Sequence, residues 1–239
     1  MKKNLIAVLS SLLLLANVAC QSTSKNTCAA AATCDAAATC DKPAKCEIPQ
    51  LTKEMFYNEK GEFNQEAAKQ AYFDMMQRMG YPISENLKAN FWAIDFGLGD
   101  FPAVGMGGIF WAHENEHGVF GHEIFLLPNQ YLVEHKHVPY LAMPAKNECW
   151  HARRGVTYCF GEEGEDIAKY NLTIPESQKP FFTSKKVTPA CAKKGNVVFL
   201  NRLEAWHSQI AGPEGAIVSE YGCFHNNEGN RFQNTKVSF

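Results

Sequence analysis

Val133-Glu134-His135-Lys136-His137 ends a largely apolar segment, residues 123–133, whose composition is typical of a β-strand. Side chains alternate between the two faces of a strand, so His135 and His137 project to the same side and can bind one metal ion. A strand end that exposes two polar residues by chance would show the same pattern. The pair therefore predicts a metal site only if further ligands lie elsewhere in the chain.

Two further metal-ligand types follow the pair, in the order His135-x-His137, Glu148 and His207. This order resembles the two motifs of the cupin superfamily. The resemblance implies an all-β fold, the cupin-type β-barrel (double-stranded β-helix, or jelly-roll), with one metal bound by these four residues. Ten residues separate His137 from Glu148, where cupins usually have three or four, which implies an inserted loop.

A narrower resemblance is to the D-lyxose isomerase-like branch of cupins. The similar stretches are His122-Glu123-Ile124-Phe125-Leu126-Leu127-Pro128, Val133-Glu134-His135-Lys136-His137, Lys146-Asn147-Glu148, Trp206-His207 and Ala211-Gly212-Pro213-Glu214-Gly215-Ala216-Ile217-Val218. Lys146 stands where that family has a catalytic lysine beside its metal-binding glutamate. The resemblance implies a manganese-dependent aldose–ketose isomerase, a free sugar as substrate (D-lyxose/D-xylulose or D-mannose/D-fructose), and a homodimer. It also implies a further acidic catalytic residue, for which the last residues offer no obvious counterpart.

The chemistry of these residue types is consistent with that activity. Three imidazoles and one carboxylate suit manganese, iron, cobalt, nickel or zinc. Such an ion can stabilise the negative charge of an enediol formed from a ring-opened sugar. Lys146 is the first candidate for moving the proton, and we expect a dry site and the metal charge to lower its pKa. Glu220 is the second candidate, with a surface carboxylate at a strand end as the alternative interpretation.

Two other functions remain open at this stage. The same metal ligands would serve another metal-cupin enzyme, a dioxygenase or a decarboxylase. A noncatalytic, exported sugar- or metal-binding lipoprotein is a third hypothesis. Lys146, two residues before Glu148, favours proton transfer.

Composition predicts one folded domain with a small ligand. The chain has 239 residues, 46% of them hydrophobic and 12% aromatic, which is enough to bury a core. Its formal net charge of -2 gives no electrostatic reason to expect a nucleic-acid partner. We place the cupin domain, with an N-terminal helical extension, at residues 51–239.

The N-terminus predicts export. Lys2 and Lys3 precede an apolar run, residues 5–19, with the layout of a signal peptide, which we assign to residues 1–20. The following Val18-Ala19-Cys20-Gln21-Ser22 resembles a bacterial lipobox, in which Cys20 would carry the lipid. We therefore expect a periplasmic or outer-membrane-anchored lipoprotein that touches the membrane only through Cys20, with a soluble periplasmic protein as the alternative.

Residues 21–50 are rich in Ala, Thr, Lys and Cys, contain no aromatic residue, and predict a flexible tether. Cysteines recur there every six residues, at Cys28, Cys34, Cys40 and Cys46. Binding of a soft metal or redox exchange is one interpretation, and mutual pairing in an oxidising compartment is the other. Spacing leaves the remaining cysteines unassigned: Cys149, Cys159, Cys191 and Cys223.

Coarse secondary structure agrees with a β-rich domain preceded by a helix. Residues 66–79 are rich in helix formers and stop at Gly80, with Pro82 beyond. Short apolar segments separated by glycine and proline then predict strands over residues 105–111, 119–127, 155–161, 196–200 and 216–221. The sequence lacks the alternation of helices and strands that would indicate a nucleotide-binding fold.

Several histidines outside the H-x-H pair are weaker candidates for metal ligands or site residues. His113-Glu114-Asn115-Glu116-His117 fits the H-E-x-x-H pattern of zinc proteases, which requires a helix, but the glycines around it predict a β-hairpin loop. His122 is a candidate substrate contact only. We expect His151 and His225 to be structural or surface residues, and Glu214 to face solvent in a Gly-Pro-Glu-Gly turn.

Overall fold

The computed structural model describes residues 48–224 and 226–239. The predicted signal peptide (residues 1–20), the lipidation site Cys20, the cysteine repeat and His225 lie outside the described residues. Predictions about them stay predictions.

The described chain contains two α-helices followed by ten β-strands. The helices are α1 (Gln65–Arg78) and α2 (Glu85–Asn90); the strands are β1 (Trp92–Ile94), β2 (Met106–Glu114), β3 (Val119–Leu126), β4 (Tyr131–His137), β5 (Glu148–Gly161), β6 (Glu165–Asp166), β7 (Lys186–Cys191), β8 (Val197–Phe199), β9 (His207–Cys223) and β10 (Asn230–Phe232). Short 3-10 helices lie at Lys53–Met55, Ile167–Lys169, Lys179–Phe181 and Asn227–Gly229. None of the helices described is both long enough and apolar enough to cross a membrane.

Helix α1 confirms the predicted helix to within one residue at each end. Asn64 begins it, because its side chain accepts a hydrogen bond from Ala67 N at 3.1 Å. Gly80 ends it with a φ of 62°, a conformation that glycine adopts without strain. The buried face is Ala68, Tyr72, Met75 and Met76, and it packs on the outside of the sheet.

The strands form one antiparallel sheet in the order β1-β2-β3-β9-β5-β7-β6. Strand β4 pairs with both β9 and β10, and β8 pairs with β5. The predicted all-β jelly-roll is confirmed, with a hydrogen-bonded path that stays open from β1 to β6 among the described strands.

Strand β9 connects the parts of this sheet. Its C-terminal half pairs with β3 and its N-terminal half with β4, while β5 runs along both halves. The ladder between β5 and β9 passes from Gly155–Ala216 directly to Thr157–Ala211, so residues 212–215 bulge out at the point where β9 changes partner. The prediction of a solvent-facing turn around Glu214 was therefore wrong. These residues belong to one long bent strand, and Glu214 is only partly exposed.

Strands β2 and β3 form the predicted hairpin around the H-E-x-x-H sequence. His113 and Glu114 end β2, and the turn reaches Val119 at the start of β3. Glu114 accepts a hydrogen bond from His117 N at 3.1 Å, which closes the turn. The helix that a zinc protease would need is replaced by this turn.

Gln130 ties the N-terminal helix to the sheet. Its Oε1 accepts hydrogen bonds from Tyr72 Oη at 2.6 Å and Leu127 N at 3.0 Å, and its Nε2 donates to Phe101 O at 2.6 Å. Gln130 and Tyr72 are completely buried. The three bonds thus join α1, the β3–β4 turn and the segment before β2.

We predict that Gln130→Ala lowers the free energy of unfolding by about 3 kcal/mol, because it leaves three buried polar groups without their partner. Urea unfolding of the full chain measures this. The matched control is Gln70→Ala on the exposed face of α1, where Gln70 binds only Asp74, and we expect a change within about 0.5 kcal/mol. Equal effects of the two substitutions would contradict the role given to Gln130.

Candidate active site

The four predicted metal ligands come together at one end of the sheet. His135 and His137 lie on β4, Glu148 begins β5 and His207 begins β9. His135 and His207 are register partners. One ligand atom from each of the four residues lies within 4.8 Å of the others.

Hydrogen bonds turn the imidazole lone pairs towards one another. His135 Nδ1 lies 2.9 Å from Val133 O, and His207 Nδ1 lies 3.0 Å from Ala205 O. A carbonyl oxygen only accepts, so each Nδ1 carries the proton and each Nε2 keeps a free lone pair. This arrangement selects the tautomer that binds a metal through Nε2.

Glu148 adds a carboxylate to these lone pairs. Its Oε1 lies 2.9 Å from His207 Nε2 and 3.0 Å from His137 Nε2. Within the described part of the chain, neither Glu148 Oε1 nor His207 Nε2 makes a hydrogen bond, although both are buried. Electron-rich atoms that face one another without a proton between them fit a bound cation.

The protonation states agree with that fit. Burial holds the pKa of His135 well below its ordinary value, and burial also lowers the pKa of His137. Burial alone would raise the pKa of Glu148, but the charge of Lys146 and the smaller contributions of its other polar neighbours together outweigh burial, so this pKa lies well below the ordinary value. Neutral imidazoles beside an ionised carboxylate are the forms that bind a divalent metal. The donor set suits several such ions.

Lys146 lies next to these ligands and joins two carboxylates. Its Nζ is 2.6 Å from Glu148 Oε2 and also donates to Glu220 Oε1, while the Phe120 ring centre lies 4.3 Å away. Only 4% of Lys146 is exposed. Burial lowers its pKa, but the charges of Glu148 and Glu220 more than compensate, and the pKa is raised. Lys146 is therefore an ammonium group between its two carboxylate neighbours. The expected lowering of its pKa by the charge of a bound metal stays a prediction.

Glu220 is a buried residue of the site rather than a surface carboxylate. It lies inside β9, with 4% of its surface exposed. Its Oε2 lies 2.7 Å from His122 Nδ1. A continuous chain of contacts therefore runs from His122 through Glu220 and Lys146 to Glu148.

A cavity of about 280 Å³ opens onto these groups. This volume is near the lower limit for small-molecule sites, which are typically about 300 Å³ or larger. Its lining includes the seven polar residues of the paragraphs above. The lining also includes six aromatic residues, here called the aromatic wall: Trp92, Phe110, Phe120, Trp150, Phe232 and Phe239. The site therefore combines a polar, ion-paired end with an apolar enclosure for one small molecule.

Sequence reasoning missed part of this lining. Gln209 also borders the cavity, and the two-residue period from His207 along β9 would have placed it on the same face. Phe232 reaches the cavity because β10 pairs with β4, where Phe232 lies opposite His135. No local pattern in the C-terminal residues signals that pairing.

We predict that the chain binds a divalent ion such as Mn²⁺ and that His207→Ala weakens this binding at least about 100-fold, because loss of a ligand costs at least as much as loss of a residue that orients one. Equilibrium dialysis with metal analysis of the full chain measures it. His117→Ala is the control: His117 belongs to an exposed group with Glu114 and Glu116 that could also hold an ion. If His117→Ala loses the ion and His207→Ala keeps it, the metal site lies in the β2–β3 hairpin and the assignment made here is wrong.

Proteins named as sugar isomerases align in sequence with about two thirds of this chain. No protein-family model matches it. A D-lyxose/D-mannose isomerase from Thermosediminibacter oceani is 26% identical over 165 residues, 69% of this chain and 88% of that protein. A D-lyxose ketol-isomerase from Cohnella laeviribosi is 26% identical over 167 residues, 69% of this chain and 87% of that protein.

A solved structure shares the fold. The L-ribose isomerase of Cellulomonas parahominis, determined with L-ribose, superimposes with a TM-score of 0.57 at 11% identity, over 78% of this chain and 96% of that one. This likeness supports the jelly-roll fold. The chain has the cupin jelly-roll fold and is similar in sequence to D-lyxose isomerases.

Proposed function

We propose that this chain is a metal-dependent sugar isomerase that interconverts an aldose with the corresponding ketose, D-lyxose with D-xylulose or D-mannose with D-fructose. The names of the relatives support a sugar isomerase. The observation that carries the proposal is Lys146, buried between Glu148 and Glu220 at the polar end of the cavity. This arrangement puts a proton donor and a carboxylate beside the candidate metal ligands.

The reaction moves one proton between C1 and C2 of the open sugar and a second proton between the neighbouring oxygens. A divalent ion held by His135, His137, Glu148 and His207 would supply Lewis-acid stabilisation of the negative charge on those oxygens. Glu220 is our candidate to take the proton from carbon, because a carboxylate accepts protons and this one is buried in the cavity wall. Lys146, held as an ammonium by its two carboxylate neighbours, is the candidate to donate a proton to oxygen.

The cavity favours an uncharged monosaccharide. Among the described residues that line it, Lys146 is the only lysine or arginine, and both of its carboxylate neighbours already bind it. A sugar phosphate would therefore find no free cation for its phosphate group. The aromatic wall can instead cover the apolar face of a sugar ring or chain.

Export, lipid attachment at Cys20 and a homodimer are parts of the same proposal that rest on the sequence and the resemblance. An exported isomerase would act on sugars released outside the cytoplasm. The dioxygenase and decarboxylase alternatives need the same four ligands, but they give no reason for an ammonium shared by two buried carboxylates.

We predict that the full chain, loaded with Mn²⁺, interconverts at least one of the pairs lyxose/xylulose and mannose/fructose, with incorporation of solvent deuterium at C1 or C2 in D₂O. Proton NMR follows both. Lys146→Ala should lower kcat at least about 100-fold, as expected for loss of an acid–base group. Lys136→Ala is the control, because Lys136 stacks over Trp206 outside the cavity and should leave kcat unchanged.

Other outcomes identify the alternatives. No conversion of any of these sugars by chain with one bound metal per molecule would overturn the proposed isomerase. Sugar binding without turnover would then favour the noncatalytic binder, and oxygen consumption would favour a dioxygenase.

A further inference from the structure

His122 is a buried histidine that the reaction outlined above does not use. It lies on β3, opposite Phe110 of β2 and Glu220 of β9. Only 5% of its surface is exposed, and it borders the cavity. Its Nδ1 lies 2.7 Å from Glu220 Oε2. A carboxylate oxygen accepts, so Nδ1 carries the proton and donates it to Glu220.

The imidazole ring is fixed by its aromatic neighbours. It stacks on Phe110 with ring centres 4.6 Å apart and planes inclined by 22°, and on Trp92 at 5.5 Å and 14°. Such offset stacking holds the ring plane without using either ring nitrogen. The Nδ1–H direction is therefore set by packing.

Gly108 provides the space for this packing. A Cβ atom at position 108 would lie 2.5 Å from His122 Nε2 and 2.4 Å from Trp92 Cζ2. Both distances are shorter than any real carbon contact, so a side chain there would displace the imidazole or the indole. The absence of a side chain at Gly108 keeps His122 against Glu220.

We infer that His122 is a positioning residue for Glu220. One carboxylate oxygen of Glu220 binds Lys146, which is shared with Glu148, and the other binds His122. With both oxygens bound, the carboxylate keeps one orientation in the cavity wall while the ammonium remains shared. This inference rests on the proposed isomerase, in which Glu220 must point at the carbon that loses its proton.

The first test compares substitutions of His122 itself. His122→Phe keeps the stacked ring and removes the donor, and kcat should fall about 100-fold, the order expected when a reacting group is misplaced by about 1 Å. KM and the bound metal should stay within about twofold, because the metal ligands and the aromatic wall remain. His122→Asn returns an N–H donor near the Nδ1 position and should recover at least about tenfold of the lost kcat.

The second test moves the ring without removing a polar group. Gly108→Ala should lower kcat in the same way as His122→Phe. The matched control is Gly121→Ala on β3, where an added Cβ meets Ala112 Cβ at 3.8 Å, an ordinary contact, and kcat should not change. A cooperative thermal unfolding transition of each variant establishes that kcat is compared between folded proteins.

The third test does not need activity. Nitrogen-15 NMR of the histidine rings should show a proton on Nδ1 of His122, with a resonance that shifts in Glu220→Gln. An Nδ1 without a proton, or a resonance indifferent to Glu220→Gln, overturns the inference whatever the activity. An active wild type with unchanged kcat in His122→Phe also overturns it, while the proposed function stands. An inactive wild type with the expected NMR result refutes the isomerase and leaves the His122–Glu220 pair established.

Discussion

One ammonium group shared by two buried carboxylates is the interaction on which the interior depends. Taking charges out of water costs several kcal/mol per ion, and the cost is offset only when each charge has a partner with good geometry. Glu148 meets this condition through Oε2, which binds Lys146, whereas its Oε1 faces the Nε2 atoms of two histidines and is left for a bound cation. Glu220 binds Lys146 with one oxygen and His122 with the other. Removing the lysine would leave two like charges facing each other inside the protein. The polar end of the cavity is therefore one coupled unit, bordered by aromatic side chains.

Parts of this arrangement could be predicted because they depend on local rules. The two-residue period of a strand places His135 and His137 on one face, and Asn64 and Gly80 bracket a helix whose apolar spacing is visible in the sequence. Glu148 and His207 came from the order of the cupin motifs, which relates positions that are far apart in the chain. No local pattern would have selected them.

Other parts depend on pairings between distant strands and could not be predicted. The raised pKa of Lys146 results from Glu148 and also from Glu220, which lies 74 residues later and meets Lys146 only because β9 runs beside β5. Strand β5 begins at Glu148, seven residues before the predicted start, because Glu148, His151, Arg153 and Arg154 interrupt the apolar run on which the prediction relied. The position of Phe232 in the aromatic wall likewise depends on the pairing of β10 with β4.

Strand β9 carries His207 at its beginning and Glu220 near its end, so one continuous backbone segment fixes both a candidate metal ligand and a candidate acid–base group. A single inserted or deleted residue between them would exchange the two faces of part of the strand and remove one of the pair from the cavity. Homologues of this chain should therefore keep the length of β9 while the β4–β5 connection and the aromatic wall diverge. Changes of sugar preference would then arise by altering the enclosure of the cavity around a constant strand.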